Sequence, residues 1–189
     1  MDALSGRYYN GGVPYSPELK IFIGREALAA AVKRIGQELS ASYRLRNPVL
    51  IGVLKGSVIF LSDLVRQLDF PLEMDFVALS SYGAGTRSSG KVKMPLLPST
   101  SLTGRHVLVV EDILDSGISM QYLLKRLARQ SPASLKVCAL LDKPSRRQTE
   151  VRPDYVGFTI QDRFIVGYGL DFAQQYRNLP DICYMENTT

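Results

Sequence analysis

Apolar residues Leu28, Val32, Ile35 and Leu39 recur at steps of four, three and four between Arg25 and Tyr43, one stripe of an amphipathic helix that Asn47-Pro48 closes. The pattern then loses its period. Val49-Leu50-Ile51-Gly52-Val53-Leu54 is apolar without interruption, which predicts a strand buried on both faces. A second helical stripe runs through Leu61, Leu64, Val65 and Leu68. Strands are predicted from Glu73 to Tyr82 and from Val92 to Leu97, on either side of a loop rich in glycine and serine. His106 to Val110 reads as another buried strand, and Met120, Leu123, Leu124 and Leu127 mark the core side of the helix after it. Further strands are expected from Ser134 to Leu141, Tyr155 to Ile160 and Phe164 to Tyr168. The segment up to Phe22, rich in Gly, Pro and Tyr, reads as loop with short extended pieces.

Strands alternating with helices predict an α/β fold with a central, mainly parallel sheet flanked by helices. No internal repeat and no linker interrupts the 189 residues, so one domain is expected. In such sheets ligands bind at the carboxyl ends of the strands. Residues foreign to a core fall there: Lys55-Gly56-Ser57 after one strand, Glu111 to Ser119 after another, Lys143 after a third.

Composition narrows the chemistry. The start of the chain lacks a basic region followed by an apolar one, and no apolar run approaches the roughly 20 residues of a membrane helix, so a cytoplasmic protein is expected. Cys138 and Cys183 form no CxxC pair and read as buried free thiols. A single histidine, His106, leaves a zinc site to be built almost entirely from carboxylates or thiols. The net charge of +5 suits an anionic ligand such as a phosphate ester, and by itself would suit RNA as well.

The chemistry concentrates in Val109-Val110-Glu111-Asp112-Ile113-Leu114-Asp115-Ser116-Gly117-Ile118-Ser119. A buried strand delivers two adjacent carboxylates, then a third, then small hydroxylated residues and a glycine that open a helix. Backbone N–H groups at Asp115–Ser119 make a concavity for a phosphate monoester, and the Ser116 and Ser119 hydroxyls add donors without bulk. Glu111 and Asp112 sit where ribose hydroxyls would emerge from a ligand anchored at that phosphate, with magnesium taking the oxygens it favours. A plain capped helix would need one acidic residue near its dipole. Three carboxylates within five positions crowd one another unless a cation or hydroxyls satisfy them.

This order of residues resembles the phosphoribosyl pyrophosphate motif of the type I phosphoribosyltransferases, and from about Val49 to Pro180 the chain is similar to the hypoxanthine–guanine branch of that family. Leu54-Lys55-Gly56-Ser57 matches the family's pyrophosphate loop, and Ser80-Ser81-Tyr82-Gly83 through Gly90-Lys91-Val92 its mobile active-site loop. Leu141-Asp142-Lys143 and Phe164-Ile165-Val166-Gly167-Tyr168-Gly169-Leu170-Asp171 match its purine-binding parts, and Arg177 a C-terminal pyrophosphate contact.

The resemblance implies a core of about residues 23–142 under a small hood built from about 1–22 and 143–189. It implies a purine salvage enzyme that joins hypoxanthine or guanine to phosphoribosyl pyrophosphate. Glu111, Asp112, Ser116, Gly117, Ile118, Ser119, Lys55, Gly56 and Arg177 would bind phosphoribosyl pyrophosphate. Mg2+ would be held by Glu111, Asp112 and Asp171. Asp115 would take the purine's imidazole proton, Lys143 would donate to its six-position oxygen, Phe164 would stack on the ring, and the Ile165 backbone would read its edge. Ser81 and Tyr82 would close over the site. The Leu54–Lys55 peptide can be cis in this family. The partners implied are the two small substrates and a second or fourth copy of the chain, a homodimer or homotetramer, with neither nucleic acid nor membrane.

Competing readings remain for particular residues. Lys55 and Lys143, taken alone, could be solvated strand ends, and Phe164 a core residue. Gly85-Thr86-Arg87-Ser88-Ser89-Gly90-Lys91 imitates a phosphate-binding P-loop, but Val92 and a strand-like run containing Pro95 follow where a hydroxyl and a helix are required. A lid is the better reading of that loop. An RNA-binding regulator would use the basic cluster Arg146, Arg147 and Arg152, which lacks interleaved aromatics. A relative preferring xanthine or adenine is the nearest alternative among enzymes.

Overall fold

A computed structural model of the chain describes residues 19–81 and 92–185. In chain order the elements are β1 (Leu19–Ile23), α1 (Arg25–Tyr43), β2 (Val49–Leu54), α2 (Val58–Val65), β3 (Glu73–Ser81), β4 (Val92–Leu96), β5 (His106–Leu114), α3 (Ile118–Ala128), β6 (Ser134–Asp142), β7 (Tyr155–Thr159), β8 (Ile165–Val166) and β9 (Ile182–Met185). Six strands form one sheet in the order β4-β3-β2-β5-β6-β7, parallel throughout except for the β3–β4 pair at its edge.

Successive side chains of a strand leave opposite faces, and the uninterrupted apolar runs satisfy both. Leu50, Leu108, Val110, Cys138 and Leu140 pack with Leu28, Val32, Ile35 and Leu39 of α1 and Phe60, Leu61 and Leu64 of α2. Val49, Ile51, Val107, Val109, Val137 and Ala139 pack on the other face with Met120, Leu123 and Leu127 of α3. Each fully buried branched side chain contributes on the order of 1.5–3 kcal/mol. Helices on both faces leave the carboxyl ends of β2, β5 and β6 open at one edge.

β1, β9 and β8 form a second, antiparallel sheet in that order, drawn from both ends of the chain. The Arg25 side chain and backbone N–H donate to Asp181, which ties the start of α1 to the turn before β9. The Arg163 guanidinium lies over the Phe22 and Tyr184 rings at 5.6 and 5.1 Å from their centroids.

Several expectations need correction. β5 continues four residues past Val110, because β6 keeps pairing with it through Ile113↔Leu141 and Leu114↔Asp142. The first two carboxylates therefore lie within the strand, not just beyond its end. Leu68 lies beyond α2, which ends at Val65. β8 keeps only two residues, since Gly167, Tyr168 and Gly169 all take positive φ and turn the chain. β1 lies almost wholly in the segment read as loop with short extended pieces, and β9 was not expected as a strand. β7 falls within the stretch expected in the hood, yet it pairs parallel with β6 in the large sheet. Both cysteines are free and buried, and among the described residues no helix is long and apolar enough to cross a membrane.

Candidate active site

A cleft of about 320 Å³ opens at the carboxyl ends of β2 and β5, lined by Lys55, Gly56, Glu111, Asp112, Asp115, Ser116, Gly117, Ser119, Asp171 and Arg177 among others. Residues from four separate stretches of sequence thus meet at one place. The cleft floor is close-packed. The Leu54–Lys55 peptide is cis, and a Cβ added to Gly56 would lie 1.7 Å from Asp112 Oδ2, so only glycine lets the loop approach the carboxylate.

Glu111 and Asp112 are the electrostatic centre. Burial pushes the Glu111 carboxyl well above the usual range, and the neighbouring Asp112 charge and a hydrogen bond between the two add to it. Burial also raises Asp112, against hydrogen bonds from Glu111 and the Ile113 N–H and the nearby Arg177 charge. Two adjacent carboxylates, Asp112 buried and Glu111 half-buried, without a full countercharge suit a cation. Among the described residues no three potential ligands cluster, and Asp171 is instead paired with Arg177 at 2.7 Å. Glu111 and Asp112 alone fit magnesium, which takes one or two protein carboxylates and completes its shell with substrate oxygens and water.

Asp115, Ser116 and Gly117 form a bend between β5 and α3, with Gly117 at φ 80° as the residue before the helix. Ser116 Oγ accepts from Ile118 N–H at 3.4 Å, and Ser119 follows in the first turn. Ile118, expected in the same cradle, is not among the cleft-lining residues. The Asp115 side chain is 43% exposed, and Arg146 Nε stands 3.1 Å from its Oδ1 as an ion pair without an aligned hydrogen bond.

On the C-terminal side, Arg177 donates to Gly169 O at 2.7 Å, and Lys55 donates to Gln174 Oε1 at 3.1 Å. Gln174 also donates its backbone N–H to Asp171. Gln174 was not anticipated. A glutamine in a turn carries no signature until its partners are known.

The residues expected to read a base are not among those lining this cleft. Lys143 is buried, donates from Nζ to Arg163 O at 2.5 Å and stands 3.6 Å from Asp162. An ammonium has three donors, so one is left for a ligand oxygen. Phe164, 42% exposed, meets Phe172 edge-on with centroids 5.5 Å apart. Phe172 adjoins Asp171 of the cleft. Ile165 is buried in β8 opposite Tyr184. Ser81 ends β3, while Tyr82 and the Gly83–Lys91 loop lie outside the described residues.

The basic cluster does not form one exposed patch. Arg146 pairs with Asp115 and Asp162, and the Arg147 side chain is only 11% exposed. That withdraws Arg147 from the surface on which an RNA-binding reading depended.

The profile of the phosphoribosyl transferase domain matches residues 23–173. Over 163 residues the chain is 47% identical to the hypoxanthine-guanine phosphoribosyltransferase of Bacillus subtilis, covering 86% of this chain and 91% of that protein. It is equally similar, at 47% identity, to the bifunctional protein TilS/HprT of Listeria monocytogenes, of which it spans only 25%. Among solved structures, a hypoxanthine-guanine phosphoribosyltransferase from Bacillus anthracis superposes with a TM-score of 0.84 at 42% identity, covering 88% of this chain and 98% of that one.

Proposed function

Because the chain belongs to the phosphoribosyl transferase family, we propose that it transfers the phosphoribosyl group of 5-phosphoribosyl 1-pyrophosphate to hypoxanthine or guanine, giving IMP or GMP and pyrophosphate. The observation that carries this reading is the convergence of Lys55-Gly56, the Glu111–Ser119 segment, Asp171 and Arg177 on one cleft. The bend at Asp115–Ser119 holds the 5′-phosphate on backbone N–H groups at a helix start. Glu111 and Asp112 face the ribose hydroxyls. Lys55, the Gly56 loop and Arg177 surround the pyrophosphate.

Breaking the bond to pyrophosphate places positive charge on the sugar and negative charge on the leaving group. Arg177 and the Lys55 loop stabilise the latter. Glu111 and Asp112 would hold a magnesium ion, which would supply further neutralisation of the leaving group. Asp115 accepts the proton that the purine ring nitrogen loses. Lys143 donates to the six-position oxygen of the base, so adenine, which carries an amino group there, finds no acceptor-matched site. Phe164 covers the ring face and the Ile165 backbone its edge. A cytoplasmic location and a homodimer or homotetramer belong to the same proposal.

The deciding experiment incubates the protein with phosphoribosyl pyrophosphate and, in turn, hypoxanthine, guanine, xanthine and adenine, with and without magnesium. Nucleotide is expected from the first two bases only when magnesium is present. Adenine as the preferred base, or turnover unaffected by chelation, would contradict the reading.

A further inference from the structure

Arg147 has no place in the mechanism above, yet its guanidinium meets four protein oxygens. Its Nε donates to Asp115 O at 2.9 Å and its Nη2 to Leu114 O at 3.1 Å. Nη2 also meets the Asp142 carboxylate, and Nη1 donates to Val151 O. The next residue continues the pattern, with Gln148 N–H donating to Ser116 O at 2.9 Å, and Lys143 N–H donates to Leu114 O at 3.0 Å. Three successive carbonyls, of Leu114, Asp115 and Ser116, are therefore all held from behind by residues 143–148.

A peptide unit is planar, and in the trans form its C=O and N–H point in opposite directions. The only cis bond among the described residues is Leu54–Lys55. Fixing those three carbonyls toward the Arg147 side turns the N–H groups of Asp115, Ser116 and Gly117 the other way, toward the cleft. These three N–H groups donate to no protein acceptor among the described residues. The packing leaves little freedom, since a Cβ on Gly117 would lie 2.3 Å from Thr149 Oγ1 and 2.9 Å from Arg147 Cδ.

We propose that Arg147 is a positioning residue for transfer, whose guanidinium grips the Leu114 and Asp115 carbonyls from the rear of the bend and so aims the backbone donors at the 5′-phosphate. The inference rests on the phosphate cradle proposed above. Arg147 touches no substrate; it acts through the peptide groups. Arginine is required because one planar fork must reach four oxygens at once, which a lysine ammonium on a flexible stem does not do. A second, open cavity of about 790 Å³ is lined by Asp142, Arg147, Thr149 and Val151, so a small cation has access from solvent to the space that a truncated side chain would leave.

The test uses the full chain with Arg147→Ala and Arg147→Lys. Ribose 5-phosphate, carrying a phosphate monoester but neither pyrophosphate nor base, is titrated calorimetrically, and steady-state kinetics are run with hypoxanthine. In the alanine variant the Kd for ribose 5-phosphate and the KM for phosphoribosyl pyrophosphate are expected to rise about 10–100-fold, as a misplaced anchor does, while the KM for the base stays nearly constant. Millimolar guanidinium should restore much of the loss, and equal sodium chloride or urea should not. The lysine variant should show a smaller loss of the same selectivity. Should the alanine variant fail to fold, the lysine variant decides. Unchanged ribose 5-phosphate binding, or equal losses for both substrates without guanidinium rescue, would overturn the inference. If ribose 5-phosphate binding depends on Arg147 but the wild-type protein forms no nucleotide, the transferase reading fails and the positioning of the phosphate cradle by Arg147 stands.

Discussion

Gly56 and Asp115 show how little freedom single residues have at this site. The ideal Cβ of an alanine at position 56 would overlap Asp112 Oδ2, so Gly56→Ala must displace either the loop or the carboxylate. We expect kcat/KM for phosphoribosyl pyrophosphate to fall by about 10²-fold or more, with a melting temperature close to wild type. Near-normal kinetics would show that the loop and Asp112 need not be in contact during turnover. Asp115→Asn should instead slow the chemical step by about 10²–10⁴-fold while leaving phosphoribosyl pyrophosphate affinity largely intact, as removal of a general base does. Pre-steady-state measurement of nucleotide formation separates the two effects.

Among elements, the β3–β4 edge depends on one carboxylate. Asp75, in β3, accepts from its own neighbour Phe76 N–H at 2.7 Å and, on its other oxygen, from the Ser99 and Thr100 N–H groups at 2.7 and 2.8 Å. Burial alone would raise its pKa, but these hydrogen bonds, led by Thr100 and Phe76, outweigh that and hold the carboxyl below its ordinary value. A depressed carboxyl stabilises the folded state above the unfolded pKa and loses that contribution as pH falls through the folded one. Asp75→Asn is therefore expected to cost about 1 kcal/mol at neutral pH, the gap to wild type closing below about pH 4. Thermal unfolding of both proteins across acidic pH measures this, and a gap that persists undiminished in acid would exclude the charge as its source.

At the scale of the whole molecule, the hood connects chain ends to chemistry. Arg163 lies over Phe22 of β1 and Tyr184 of β9, while its carbonyl accepts from Lys143 Nζ and its neighbour is Phe164. The two ends of the chain thus set the position of the residues proposed to hold the base. Arg163→Ala should lower stability by roughly 0.5–1 kcal/mol, as expected for an exposed cation–π contact. It should also raise the KM for hypoxanthine with little change for phosphoribosyl pyrophosphate. A uniform change in both constants would mean that the hood does not orient the base site.

Local pattern by itself determined α1, β2, the core face of α3 and the apolar start of β5, because contiguous apolar residues record burial by whatever neighbour arrives. It also marked the strand ends that line the cleft, since glycine, lysine and carboxylates there violate the core pattern. Tertiary structure decided the rest. β5 extends through Glu111 and Asp112 only because β6 offers a partner beyond Val110. β1 and β9 are strands only because segments from opposite ends of the chain pair with each other. Arg147 reads in sequence as one of several surface cations and becomes a largely enclosed clamp once the chain leaving β6 delivers it behind the bend. Periodicity encodes which face is buried. It does not encode which distant group satisfies a carbonyl, and that pairing decides where the donors of this cleft point.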